Sequence, residues 1–309
     1  MPSIAVIANP NSRKNRKNPG LIPALEAQLG DRGELIATPS LEALDEAAHA
    51  LRQRAPQVVG LCGGDGTIHA GLTALHRAYG EAPLPIIALL CGGTMNTVAT
   101  GLGLKGAPKA VLAKLLEQEA QGSLPTLEVG TLKVEDRLGF LFGTGLMARF
   151  LEVYYDGGDA SPWKAVKVLS SVVGSAAVGG PLIKRLTSNA EVQVIADGEP
   201  WGPAQPYDMI GAGTSPSLAF FFRPFYRALD LTQTFQVWGV GCGPWELSKK
   251  LGRIARALPP EHPRITDVEV THLKLVGEEL SYQFDGELYP AQGELEVTLG
   301  PRLRLFCPE

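Results

Sequence analysis

Three short stretches join glycine to small polar and charged residues in patterns suited to holding a phosphate. Residues 61–67 read LCGGDGT, an apolar run followed by three glycines around one aspartate, Asp65. Glycines at Gly63, Gly64 and Gly66 let backbone N–H groups approach an oxyanion, and a helix opening near Thr67 adds its dipole. Asp65 is itself negative, so it cannot cradle a phosphate. It handles a metal ion or the proton of a substrate hydroxyl, or it caps a turn and does neither. Residues 89–103, LLCGGTMNTVATGLG, repeat the device with Gly93, Thr94 and Asn96. Residues 8–18, ANPNSRKNRKN, contribute Asn9, Asn11, Ser12, Arg13 and Lys14 after another apolar run. None of the three is a Walker A motif or a GxGxxG fingerprint, so a P-loop or dinucleotide site is not expected.

The triplet Asp-Gly-Glu occurs twice, at 197–199 and at 285–287. Each lies between alternating apolar and polar residues, and each therefore reads as a hairpin turn.

Those loops need strands and helices to hold them. SIAVIA, ELIAT, PQVVGLC and LPIIALLC are short apolar runs, as expected of strands buried on both faces. Helical patterns alternate with them: residues 40–55 with Ser40 as N-cap, residues 67–80 stopping at Gly80, and residues 107–122. That alternation predicts a parallel α/β sheet with right-handed crossovers, its glycine loops gathered at the carboxyl edge. Thr38, at the end of the second strand, joins the same edge. After residue 123 the pattern changes to many short alternating strands with Gly and Asp turns, which predicts a β-rich sandwich. One helical stretch, 162–186, interrupts it. The expected domains are 1–123, joined by a returning strand in 296–309, and 124–295.

Composition bounds the function. The chain has 309 residues, 45% hydrophobic and 19% charged, with a net charge of −4. A nucleic-acid binder would need a broad basic surface, and the one dense basic run, residues 12–17, is short and lacks interleaved aromatics. Cys62, Cys91, Cys242 and Cys307 are far apart with no CxxC pair, which argues against a zinc site or a disulfide framework and fits a reducing compartment. The N-terminus enters a strand-like run without a basic leader, so a cytoplasmic protein is expected. Residues 168–183 are the most apolar stretch, but they are short and broken by Gly and Pro; they read as a buried helix.

Taken in order, NPNSRK, GGDGT and GGTMNT resemble the diacylglycerol kinase catalytic-domain superfamily of bacterial lipid kinases and sphingosine kinases, distantly related to NAD kinases and phosphofructokinases. FFFRPFYRALDLTQTFQVW and LSYQFDGELY are similar to that family's substrate-domain segment and late DGE motif, so the resemblance spans most of the chain. It implies an ATP- and magnesium-dependent kinase that phosphorylates a lipid hydroxyl in an interdomain cleft, with a membrane surface as partner. Asn9, Asn11, Ser12, Arg13, Thr38, Gly63, Gly64, Gly66, Thr67, Gly93, Thr94 and Asn96 would hold the nucleotide. Asp65, Asp285 and Glu287 would be the catalytic carboxylates, with either Asp65 or Glu287 as the base; the metal ligands stay open. The resemblance selects the second DGE and leaves the first as a turn. The family's Asn-Glu after GGDGT is here His69–Ala70, and its Asn-Asp after the GT loop is Asn96–Thr97. Those departures fit an altered acceptor, a soluble hydroxyl substrate, or a nucleotide binder without transfer activity.

Overall fold

The computed structural model describes residues 3–91, 97–156, 162–187, 191–218, 222–278 and 280–308. They form two compact units: Met1–Val129 with Asp136–Leu138 and Pro301–Glu309, and Gly130–Glu135 with Gly139–Gly300.

The first unit is α/β. Its elements run β1 (Ile4–Ala8), α1 (Arg13–Lys17), α2 (Leu21–Leu29), β2 (Gly33–Ala37), α3 (Leu41–Arg54), β3 (Val58–Gly63), α4 (Asp65–Tyr79), β4 (Ile86–Cys91), α5 (Thr97–Gly101), α6 (Pro108–Ala120) and β5 (Thr126–Val129). The sheet order is β2-β1-β3-β4, continued by the last strand of the chain, Leu303–Phe306, and then β5. Strands β1 to β4 are all parallel, Leu303–Phe306 runs parallel to β4, and β5 is antiparallel at the edge. Helices α2 and α6 bury Leu21, Leu25, Leu112 and Leu115 against Ile4, Val6, Val58 and Leu90 on one face. On the other, α3 and α4 bring the buried Leu44, Leu51, Ile68 and Leu72 to β1 and β3. Two covered faces explain why β1 and β3 are apolar at every position. Ser40 caps α3 by accepting a hydrogen bond from the Ala43 N–H.

The remaining elements, all in the second unit save Arg137 and Leu138 of β7, are β6 (Leu132–Val134), β7 (Arg137–Gly139), β8 (Leu141–Thr144), α7 (Leu146–Tyr155), α8 (Pro162–Val178), α9 (Pro181–Leu186), β9 (Glu191–Ala196), β10 (Glu199–Pro200), β11 (Gln205–Pro206), β12 (Met209–Gly213), β13 (Phe235–Val240), α10 (Pro244–Ala255), β14 (Ile265–Val270), β15 (His272–Gly277), β16 (Tyr282–Phe284), β17 (Glu287–Tyr289) and β18 (Gly293–Leu299). The closing strand Leu303–Phe306 is β19. Two antiparallel sheets, β10-β9-β15-β18-β6-β7 and β14-β13-β12-β8-β16-β17, share one core. Val134, Val194, Leu275 and Val297 come to it from one sheet, Phe142, Val237, Tyr282 and Phe284 from the other. This is the β-rich sandwich that the strand pattern predicts.

The apolar stretch 168–183 is two helices, since Gly179 (φ 61°) ends α8 and Pro181 starts α9. It is less buried than the sequence suggests. Val172 is buried, while Val178 is 81% exposed. Among the described residues no helix is long and apolar enough to cross a membrane.

Candidate functional site

In the first unit the chain leaves β1 toward β2 on one side, while β3 and β4 lie on the other. The carboxyl ends of β1 and β3 therefore flank the point where the strand order reverses, the place where open α/β sheets bind ligands. Register puts Ala8 beside both Ala37 and Cys62, and Gly63 beside Cys91. The loops carrying Asn9 to Arg13, Thr38, and Gly63 to Thr67 thus start from one edge.

Asn9 ties these loops together. Its N–H donates to the Cys62 carbonyl (3.2 Å), and its side-chain Nδ2 donates to Thr67 Oγ1 (3.3 Å). Its Oδ1 accepts from the Asn11 N–H (2.8 Å), and its carbonyl accepts from the Ser12 N–H (3.2 Å) and from Asn15 Nδ2 (2.7 Å). Asn11 Nδ2 reaches the Pro39 carbonyl (2.8 Å), and the buried Thr38 donates its N–H to the Ala8 carbonyl (2.9 Å), which links the β2 loop to the others. Ser12 Oγ accepts the Asn15 N–H at 3.4 Å, so Ser12 opens a helix that begins at Arg13.

The glycine turn is built just as tightly. A Cβ on Gly63 would lie 2.4 Å from Thr67 Oγ1, so no other residue fits between β3 and the first turn of α4. The helix begins at Asp65, two residues before the sequence-based start, and Gly64 supplies no capping side chain. The first N–H groups of α4 thus lack a side-chain cap from that residue, as an anion site requires. Asp65, Gly66 and Thr67 are half-buried. His69, in the second turn of α4, is buried (3% exposed). Gly93, Thr94 and Asn96 lie outside the described residues.

In the second unit the late DGE is the turn of the β16–β17 hairpin, with Phe284 paired to Glu287. Asp285 has φ 50° and Gly286 φ 90°, the left-handed pair of a type I′ turn. The Asp285 carboxylate is buried. Its Oδ1 accepts from the N–H groups of Phe140 (3.0 Å) and Leu141 (2.9 Å), and its Oδ2 from Phe140 (3.2 Å). Gln283 Oε1 accepts the Gly286 N–H (2.9 Å), and Tyr155 Oη donates to the Gly286 carbonyl (3.0 Å). Glu287 is exposed at the start of β17. Sequence reasoning missed Asn15, Gln283 and Tyr155. Asn15 lies within the 8–18 stretch already singled out, and only the DG turn pointed to the surroundings of Gln283 and Tyr155.

Several comparisons with known proteins bear on this architecture. Residues 3–126 match the family model described as "Diacylglycerol kinase catalytic domain". A diacylglycerol kinase structure from Bacillus anthracis str. Sterne superposes with a TM-score of 0.68 at 15% identity, covering 98% of this chain and 96% of that one. Two structures of a "putative diacylglycerol kinase" from the same organism give TM-scores of 0.71 and 0.70 at 16% identity over the same shares. No curated protein sequence matches. Residues 3–126 are thus similar to a diacylglycerol kinase catalytic domain, within a chain that has the fold of those structures over nearly its whole length.

Proposed function

We propose that this protein is an ATP-dependent kinase that transfers the γ-phosphate to a hydroxyl of a diacylglycerol-like lipid. The observation that carries the reading is the knot at the sheet edge. Asn9 joins the β1 loop to Thr67 at the head of α4, at the strand-order reversal of a segment that matches a kinase catalytic domain. The N-terminus of α4, the glycine turn and the basic Arg13 favour nucleotide phosphates there. Gly93, Thr94 and Asn96 would complete that pocket, as the family resemblance implies.

Phosphoryl transfer asks the protein for positioning and charge stabilisation more than for covalent chemistry. Asp65 would hold Mg²⁺ or accept the acceptor's proton, with Glu287 as the other candidate base. Among the described residues no three His, Cys, Asp or Glu side chains form a metal cluster. Magnesium binds through one or two carboxylates, water and substrate phosphates rather than a protein cage, so Asp65 could hold it with the nucleotide. When bound, the ion neutralises charge on the phosphates. In this reading residues 124–295 bind the acceptor, and a membrane surface is the source of the lipid. Exposed Val178, and Trp245 with the Lys249 ammonium over its ring, support such contact.

The test is transfer of radiolabelled phosphate from ATP to a mixed lipid extract, comparing the wild type with Asp65→Asn. Label should enter lipid with the wild type and fall by about a hundredfold or more in the variant. Undiminished label in Asp65→Asn removes Asp65 from the chemistry. A second reading, nucleotide binding without transfer, is favoured by the buried His69, which stands where the family carries a polar acceptor-side residue. It predicts ATP binding with no label in lipid or in any soluble alcohol.

A further inference from the structure

We infer that Asp285 is a positioning residue whose negative charge takes no part in the chemistry: its carboxylate clamps the N–H groups of Phe140 and Leu141 and so sets the turn that presents Glu287. The clamp is a repeated device of this chain. Asp285 donates its N–H to the Leu141 carbonyl (2.9 Å) while its carboxylate takes the N–H groups of Phe140 and Leu141. Asp197 donates its N–H to the His272 carbonyl (2.9 Å) while its Oδ1 takes the N–H groups of Thr271 (2.9 Å) and His272 (2.8 Å). The registers agree as well, since Phe284 pairs with Phe142 and Ala196 with Leu273. Both aspartates sit near φ 50° ahead of a glycine near φ 90°. An Asp-Gly turn thus brackets the start of the neighbouring strand in two places, whatever else happens nearby.

The two brackets are reinforced differently: the Thr271 hydroxyl adds to the first (2.6 Å), and the surroundings of the second hold its turn. A Cβ on Gly139 would lie 2.4 Å from Asp285 Oδ2, so the glycine lets the carboxylate seat against the backbone. Gln283 and Tyr155 then fix Gly286 from both sides. Burying a carboxylate against backbone donors holds a loop in place.

This inference rests on the kinase reading for its activity arm alone. The closer contacts fall on one oxygen, so the amide oxygen of an asparagine can keep both, and Asn suits the left-handed turn. The experiment compares Asp285→Asn and Asp285→Ala in the full chain. It follows phosphate transfer against pH, and hydrogen–deuterium exchange of the peptide spanning residues 138–144. Asp285→Asn should keep turnover within about fivefold of wild type, with an unchanged pH profile. Asp285→Ala should lose on the order of a hundredfold in turnover, and its Phe140 and Leu141 amides should exchange at least about tenfold faster. Loss of turnover in Asp285→Asn with protection intact overturns the inference, because the charge is then being used. Unchanged exchange in Asp285→Ala overturns the clamp itself. If the wild type transfers no phosphate, the kinase reading fails, and the exchange arm still decides the clamp. Should Asp285→Ala not fold, a folded Asp285→Asn with wild-type exchange supports the clamp, and faster exchange in it sinks the clamp.

Discussion

The two Asp-Gly-Glu turns of the second unit share sequence, backbone conformation and hydrogen-bond pattern, and differ in what surrounds them. At the first, Asp197, Gly198 and Glu199 are all exposed, and Oδ1 accepts from the Thr271 hydroxyl as well as from backbone (2.6 Å). At the second, the carboxylate is buried and the turn is held from α7 and from β16. The residue before the clamped pair is Val270 in the first case and Gly139 in the second. Identical triplets, then, do not carry the distinction between a plain hairpin and a functional turn. It lies in neighbours far away in sequence, Gly139, Tyr155 and Gln283, which cost the unit design freedom only where the turn must not move.

The largest expected effect comes from the glycine. In Gly139→Ala the new Cβ meets Asp285 Oδ2 at 2.4 Å and Phe284 Cζ at 2.9 Å. Both neighbours are buried and pinned, so the carboxylate must leave the Phe140 and Leu141 N–H groups. Overpacking and two unsatisfied donors together should cost about 3 kcal/mol in denaturant unfolding, with transfer activity lost in step. A variant as stable as the wild type would mean that the second bracket is no tighter than the first.

A smaller effect is expected from Tyr155→Phe. It removes one of the two side-chain hydrogen bonds that hold Gly286, and the half-exposed ring stays in place. Stability should change by less than about 1 kcal/mol, because the freed carbonyl can turn to water. If the late turn does present Glu287, turnover should fall about three- to tenfold with KM for ATP unaffected. Equal loss of stability and activity would reduce Tyr155 to packing.

How legible was this in the sequence? The layered fold was plain, because doubly buried strands such as β3 are apolar at every position and Ser40 marks the start of α3 by its own chemistry. The edge that gathers NPNSR and GGDGT followed from parallel pairing alone. The hydrogen-bond economy did not. An asparagine in a loop reads equally well as ligand contact or as turn, and only the folded chain brings Asn9 to its hydrogen bonds with Cys62, Asn11, Ser12, Asn15 and Thr67. Likewise the two DGE triplets were alike as text. The clamp partners, Phe140 and Leu141, lie 145 and 144 residues from Asp285, beyond any local pattern.

The smallest expected effect is at Asp197, and it has a pH signature. Desolvation pushes its carboxyl up, but hydrogen bonds from the Thr271 hydroxyl, the Thr271 N–H and the His272 N–H outweigh that and hold it below the usual carboxylate range. A folded-state value below the unfolded one means stabilisation that is fully present above the ordinary Asp range and is lost as pH falls through the lowered value. Asp197→Asn should remove this acid-side loss while leaving neutral-pH stability within about 1 kcal/mol, since the turn is exposed and its donors can find water. Turnover should not change. Urea unfolding of wild type and variant across acid pH checks it: curves that converge on acidification fit an exposed bracket that only registers two strands. A variant that lost phosphate transfer at neutral pH would instead give the first turn a share in the function, and the contrast between the two turns would fail.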